Sequence, residues 1–197
     1  MTMPNNTTNY LYVEGSESDV NDLVDLLVTS DGGKQSRVDF NQIVPMPEPL
    51  NIECGSAGDQ AYELLYSEGD EWKRMLSYSW VPADIETREQ LVEFIEANHP
   101  LDRELGKAYH ENLQNYGHKT WYSWCVEHWG TKWNAYGYTE VNRKGAESVE
   151  IQFETAWSPP VPIYEALHER FPNLEITACW SDEGSYEREE VFHGEPV

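Results

Sequence analysis

SVEIQFETAWSPPVPIYEALHERFPNLEITACW, residues 148–180, reads as strand, helix, strand. Its first part alternates, with Val149, Ile151 and Phe153 on one face and Glu150, Gln152 and Glu154 on the other. That period of two marks a strand with one buried side. Pro159, Pro160 and Pro162 end the alternation and suit the opening of a helix, after which Ile163, Ala166, Leu167 and Phe171 fall at helical spacing. "LEITACW" then returns to strand. "AWSPPVP" (156–162) has two readings: a rigid strand-to-helix corner packed by Trp157, or a proline-rich ligand for an aromatic groove. Prolines placed directly before a good helix favour the corner.

Outward from this unit, "YEREEVFH" (186–193) is a further strand joined through the turn SDEGS, and "TKWNAYGYTEV" (131–141) is a strand joined to residue 148 through NRKGAE. Near the other end, residues 1–8 read as a loose tail. "NYLYVEG" (9–15) is a strand with Leu11 and Val13 on one face. Ser16 caps a helix carrying Val20, Leu23, Val24, Leu27 and Val28, with Asp19, Asp22 and Asp25 facing outward and Asp31-Gly32-Gly33 as its stop. "RVDFNQIV" (37–44) reads as a second strand, and "PMPEPL" breaks it.

Residues 55–118 read as helical: about 59–66, then 85–98 capped by Thr87, then 102–116 with Leu105, Ala108, Tyr109 and Leu113 inward and Gly117 as terminator. "WKRMLSYSWVP" (72–82) fits either strand or loop. Two strand–helix–strand units sharing one antiparallel sheet predict an α+β, ferredoxin-like domain over residues 9–54 and 119–197. Residues 55–118 are expected as a helical insertion packed on it.

The chain has 197 residues, 39% hydrophobic and 13% aromatic, enough for a sizeable core. No apolar run is long enough to span a bilayer, and the polar start MTMPNNTTN does not read as a secretory signal. Three scattered cysteines (Cys54, Cys125, Cys179) argue against a disulfide scaffold or structural zinc and point to a reducing, cytoplasmic setting. Thirty-six acids against thirteen bases give a net charge of −23. A direct nucleic-acid or anionic-membrane binder needs a basic footprint, which is missing. From Val38 to Trp72 stand Asp39, Glu48, Glu53, Asp59, Glu63, Glu68, Asp70 and Glu71 with no lysine or arginine.

Residues 121–138 hold seven aromatics in eighteen positions. On a helix Trp121, Trp124, Cys125 and His128 share a face, and such a face docks on a core more often than it binds a ligand. Gly130 suits a left-handed turn after Trp129, and Lys132, starting a strand that carries Trp133 into the sheet, is placed for a cation–π contact. The competing reading is a small-molecule site or an enzyme over this segment. Cys125 and His128 would supply two metal ligands, but no histidine spacing completes a site, so no metal is expected. No third group orients a Cys–His pair, so no catalytic residue is assigned. No cofactor is expected.

On a strand, residues i and i+2 stand about 6.6 Å apart on one face. Glu150 and Glu154, with Glu187 and Glu189 on a nearby strand, are thus candidates for a rigid carboxylate array, with Asp59, Glu63, Glu68, Asp70 and Glu71 as a second acidic group. Solubility is the plainer reading of the same acids.

"NYLYVEG", "FNQIVPMP" (40–47), "HWGTKWNA" (128–135), "FETAWSPPVPIYEAL" (153–167) and "FPNLEI" (171–176), in that order, resemble the YubB-like, ferredoxin-like proteins of bacterial plasmids and phages. The likeness covers the first 47 residues and about the last 70, and leaves 48–121 unmatched. It implies a fold and a mobile-element setting without catalytic residues. Together with the charge it leads to an expected non-enzymatic accessory protein. Such a protein would engage a basic, nucleic-acid-binding host protein, as a nucleic-acid mimic countering a defence system such as CRISPR or restriction. A self-associating structural module is a third possibility.

Overall fold

Strand β1 (Asn6–Glu14) alternates buried and half-exposed residues and takes the centre of a five-stranded antiparallel sheet. In chain order there follow α1 (Glu17–Leu27), β2 (Val28–Ser30), β3 (Ser36–Val38), α2 (Ser56–Leu65), α3 (Arg88–Asn98), α4 (Arg103–Tyr116), α5 (Trp121–His128), β4 (Tyr136–Arg143), β5 (Ser148–Ala156), α6 (Val161–Arg170), β6 (Glu175–Asp182) and β7 (Glu189–Gly194). The computed structural model describes residues 5–30, 36–185 and 187–196. Two units divide the chain, residues 1–46 with 122–197, and residues 47–121.

In the first unit the sheet order is β4-β5-β1-β6-β7. With α1 after β1 and α6 after β5, the first four of these form the ferredoxin-like arrangement, and β7 is an added edge. One face is core. Leu11, Val13, Val149, Ile151, Phe153, Ile176 and Ala178 are buried there, with Val20, Leu23 and Leu27 of α1 and Ile163, Tyr164 and Leu167 of α6. Ser16 caps α1 by accepting from the Asp19 N–H at 3.2 Å. Asn9 and Tyr164 are paired inside this core: Tyr164 donates to Asn9 Oδ1 at 3.0 Å, and Asn9 Nδ2 donates to Thr155 Oγ1 at 2.8 Å.

Several expectations are corrected. Asn6–Thr8, assigned to a tail, begin β1, because they pair with Glu154–Ala156. The stop at residues 31–33 lies outside the described residues. Arg37–Val44 is not a strand of the five-stranded sheet: among the described residues Ser36–Val38 pairs with Val28–Ser30 in a separate two-stranded ribbon, and Phe40–Gln42 turn as a short 3-10 helix opened by the Asp39 carboxylate. The second ferredoxin strand is instead β4, which starts at Tyr136. Trp133 therefore stands outside the sheet.

The second unit has its own core of Ala61, Leu64, Trp72, Met75, Val81, Leu91, Ile95 and Leu101. Residues 72–77 of the ambiguous stretch belong to the 3-10 helix Glu71–Ser77. Thr87 and Gln90 cap α3 reciprocally, and Asp102 caps α4, which Gly117 ends at φ 74°. The buried face of α4 is Gly106, Tyr109 and Asn112, with Leu105, Ala108 and Leu113 only half-buried. The helix is rotated because Gly106 and Gly58 let α2 approach closely and Tyr109 covers Gly58. The changeovers fall at 46/47 and 121/122 instead of 54/55 and 118/119. Tyr109 binds Glu53 O and Gly55 N, and Asn112 binds Pro49 O and Lys119 O, which ties 49–55 and 119 to the helices.

Candidate functional site

The face of the sheet opposite α1 and α6 is polar and is laid out in rows by strand register. One row runs Glu140, Gln152, Tyr10, Cys179, Glu190 across β4, β5, β1, β6 and β7. The next runs Asn142, Glu150, Tyr12, Thr177, His193, where Thr177 Oγ1 and His193 Nδ1 stand 2.9 Å apart. A third runs Tyr136, Glu154, Thr8, Ser181. With strands about 4.8 Å apart, Glu140 and Glu190 bracket a surface about 19 Å wide. Glu150 and Glu154 stand about 13 Å apart along β5.

The acids divide by what holds them. In the second unit Asp59 pairs with Lys119 at 2.8 Å, Glu63 with Arg74 at 2.6 Å and Asp70 with Lys73 at 2.7 Å, while Glu71 accepts from Ser67. Glu63 is buried, which removes it from any acidic surface. Its place on the inward side of α2 decides this, and Arg74 supplies the compensating charge. Glu68 is exposed. On the sheet face, Glu140, Glu150, Glu154 and Glu190 form no ion pair among the described residues. Their field shows in their neighbours. Burial raises the Tyr136 pKa, and the Glu154 and Glu183 carboxylates raise it further. Burial also raises Tyr12, with Glu150 adding to the rise and Arg188 opposing it.

Glu189 does not join Glu150 and Glu154. It pairs with Trp180, which pairs with Asn9 on the core-side register, so it belongs to the opposite face. Its neighbour Glu190 takes the place instead. Glu187 precedes β7 and lies outside the sheet. Alternation in residues 186–193 marks two faces, but only pairing with β6 says which of them meets Tyr10.

Arg188 brings a cation to this face. Arg188 Cζ sits 3.5 Å above the centroid of the Tyr10 ring, and Arg188 Nη1 donates to the Tyr12 hydroxyl. Tyr10, Tyr12 and Arg188 were not read as site residues from sequence. The alternation of "NYLYVEG" marks the two tyrosines as the face opposite Leu11 and Val13, which is the signal that finds them.

The Trp-rich segment packs. Trp124, Cys125 and Trp129 are buried. Trp129 meets Phe40 edge-on at 5.8 Å, and its indole N–H donates to Val44 O at 2.8 Å. Trp121, half-buried, opens α5. His128 is stacked on Trp124 at 4.4 Å, while Cys125 Sγ rests 3.9 Å from Met46 Sδ. Burial pushes the Cys125 thiol up to about 12, so it stays protonated and poorly nucleophilic at neutral pH. Gly130 has φ 74°, the left-handed turn its position suggested. Lys132 Nζ lies 4.5 Å from the ring centroids of both Trp133 and Trp157. Trp157, itself at φ 74° and 46% exposed, turns outward at the corner it was expected to pack.

In the second unit, Gln60, Trp80, Phe94, Ile95, Asn98 and His99 line a cleft of about 470 Å³. No helix among the described residues is long and apolar enough to cross a membrane.

No curated protein matches the chain. A crystal structure of a protein api92 from Yersinia pseudotuberculosis is similar at 13% identity over 98% of each chain, with a TM-score of 0.46. Residues 129–190, from the Gly130 turn to the start of β7, match the family model described as the ferredoxin-like domain in Api92-like protein.

Proposed function

We propose that this is a binding protein whose polar sheet face engages a basic partner. The observation behind it is the contrast between the acids. In the helical unit Asp59, Glu63 and Asp70 are paired with the chain's own lysines and arginines, whereas Glu140, Glu150, Glu154 and Glu190 share one sheet face and form no ion pair among the described residues. Carboxylates carried on neighbouring strands have a spacing that the sheet fixes. A chain of net charge −23 also draws a cationic partner at long range. The reading needs no catalytic step and no cofactor.

In the mobile-element setting that the YubB-like resemblance suggests, the partner is a host nucleic-acid-binding protein in the cytoplasm. A carboxylate face seated in its basic groove excludes nucleic acid by occupying the site. An anti-CRISPR or anti-restriction role is the specific form of this proposal.

The test is titration of an arginine octapeptide by calorimetry. Affinity is expected to fall at least about tenfold between about 50 and about 300 mM salt. Glu150→Gln with Glu154→Gln is expected to weaken low-salt binding several-fold, and Glu68→Gln with Asp70→Asn to leave it nearly unchanged. Equal losses from both pairs, or binding that ignores salt, overturn the proposal.

A further inference from the structure

We infer that Arg188 is an internal occupant of a guanidinium site on the sheet face, and that the face selects an arginine-bearing segment of its partner over a lysine-bearing one. This deepens the proposed function and rests on it. Tyr10 and Tyr12, two apart on β1, present a ring and a phenol oxygen on the same side of the sheet. Arg188 uses both: its guanidinium carbon lies 3.5 Å over the Tyr10 centroid, and one of its nitrogens donates to the Tyr12 oxygen. Glu150 is the cross-strand neighbour of Tyr12, and Glu190 pairs with Cys179 beside Tyr10. Even so, among the described residues Arg188 forms no ion pair with a carboxylate. What holds it is a stacked plane plus a phenol acceptor, a combination a guanidinium satisfies and a compact, strongly hydrated ammonium does not.

Arg188 is exposed and lies between the turn at Asp182–Ser185 and the start of β7, in no regular element. Its side chain can leave without breaking the sheet. A partner's arginine takes the same place, flanked by Glu150 and Glu190, and must first displace Arg188. The apparent affinity is therefore reduced in proportion to the fraction of sites that are free. A lysine gains only the general field of the carboxylates.

The experiment compares arginine and lysine octapeptides on the native chain, Arg188→Lys and Tyr10→Leu, at low salt, with circular dichroism confirming the fold. Arg188→Lys keeps the charge and removes the stacked plane. It is expected to raise arginine-peptide affinity at least about threefold and lysine-peptide affinity by less. The native chain is expected to prefer arginine, and Tyr10→Leu to abolish that preference while retaining salt-dependent binding. If Arg188→Lys leaves arginine-peptide affinity unchanged or lowers it, or if the native chain binds both peptides equally, the guanidinium site is overturned. The proposed function then stands on its own test with Glu150→Gln and Glu154→Gln. Failure of every variant to bind either peptide overturns both.

Discussion

Gly106 of α4 faces Ala61 of α2 so closely that a Cβ at Gly106 would stand 2.8 Å from the Ala61 Cβ. Helix backbones approach this far only where one side lacks a side chain. Gly106→Ala improves helix propensity but overpacks the crossing, and the second effect dominates. A loss of about 1–3 kcal/mol is expected in chemical denaturation of the full chain. Gly117→Ala meets no neighbour within 4 Å, but its φ of 74° makes any loss there one of backbone strain.

Arg74→Ala strands the buried Glu63 carboxylate, whose Oε1 accepts from Arg74 at 2.6 Å and whose Oε2 has no hydrogen-bond partner. A loss of about 2–4 kcal/mol is expected, well above that of an exposed pair. The double variant with Glu63→Gln is expected to recover much of it. A thermal shift series across the native chain and these two variants checks both the direction and the recovery.

Cys125 ties stability to alkaline pH. Its thiol is raised from 9.0 to about 12 in the folded chain by burial. The folded state thus keeps a proton that the unfolded state loses, so the contribution is complete below pH 9 and disappears as pH rises toward 12. By linkage the loss approaches about 4 kcal/mol. Urea denaturation between pH 8 and pH 11 is expected to show a shallower decline in Cys125→Ala than in the native chain. At pH 8 a thiol reagent is expected to label the exposed Cys54 rapidly and Cys125 only on unfolding.

Tyr164→Phe removes the donor that satisfies Asn9 Oδ1 inside the sheet–helix core. Leaving that oxygen buried and unpaired is expected to cost about 1–3 kcal/mol. Tyr164→Phe combined with Asn9→Leu is expected to cost less than the two single losses added together, a coupling read from a double-mutant cycle.

Trp157 carries a left-handed backbone, φ 74°, at a residue with a bulky side chain. Thr155 Oγ1 donates to Ser158 O at 2.8 Å, and Ser158 Oγ donates to Gly130 O at 2.6 Å, which holds the corner in place. Trp157→Gly is therefore expected to be more stable than Trp157→Ala by about 1 kcal/mol, the reverse of their order in ordinary extended backbone. Equal melting temperatures would place the left-handed turn elsewhere.

Much of the fold is legible in short stretches. Alternation in residues 148–156 identified the strand and both of its faces, and Ser16 and Thr87 marked helix starts because capping is a local hydrogen bond. Residues 37–44 misled, since a short apolar run does not reveal whether a partner strand is available. On α4 the stripe of Leu105, Ala108 and Leu113 pointed one way, and two glycines drew the helix another. For the candidate site, Glu150 and Glu154 were visible from their own strand. Glu189 was exchanged for Glu190 and Glu63 was lost to burial, because pairing register and inward placement are set by distant residues.

Periodicity, capping and composition along the chain were enough for the ferredoxin-like class, the capped starts of α1 and α3 and a charge of −23. Only the tertiary structure decided which carboxylates remain unpaired on one face and that Arg188 rests on Tyr10. The physical reason is range. Periods and caps act over a few residues, whereas ion pairing and sheet register join side chains as far apart in sequence as Tyr10 and Arg188.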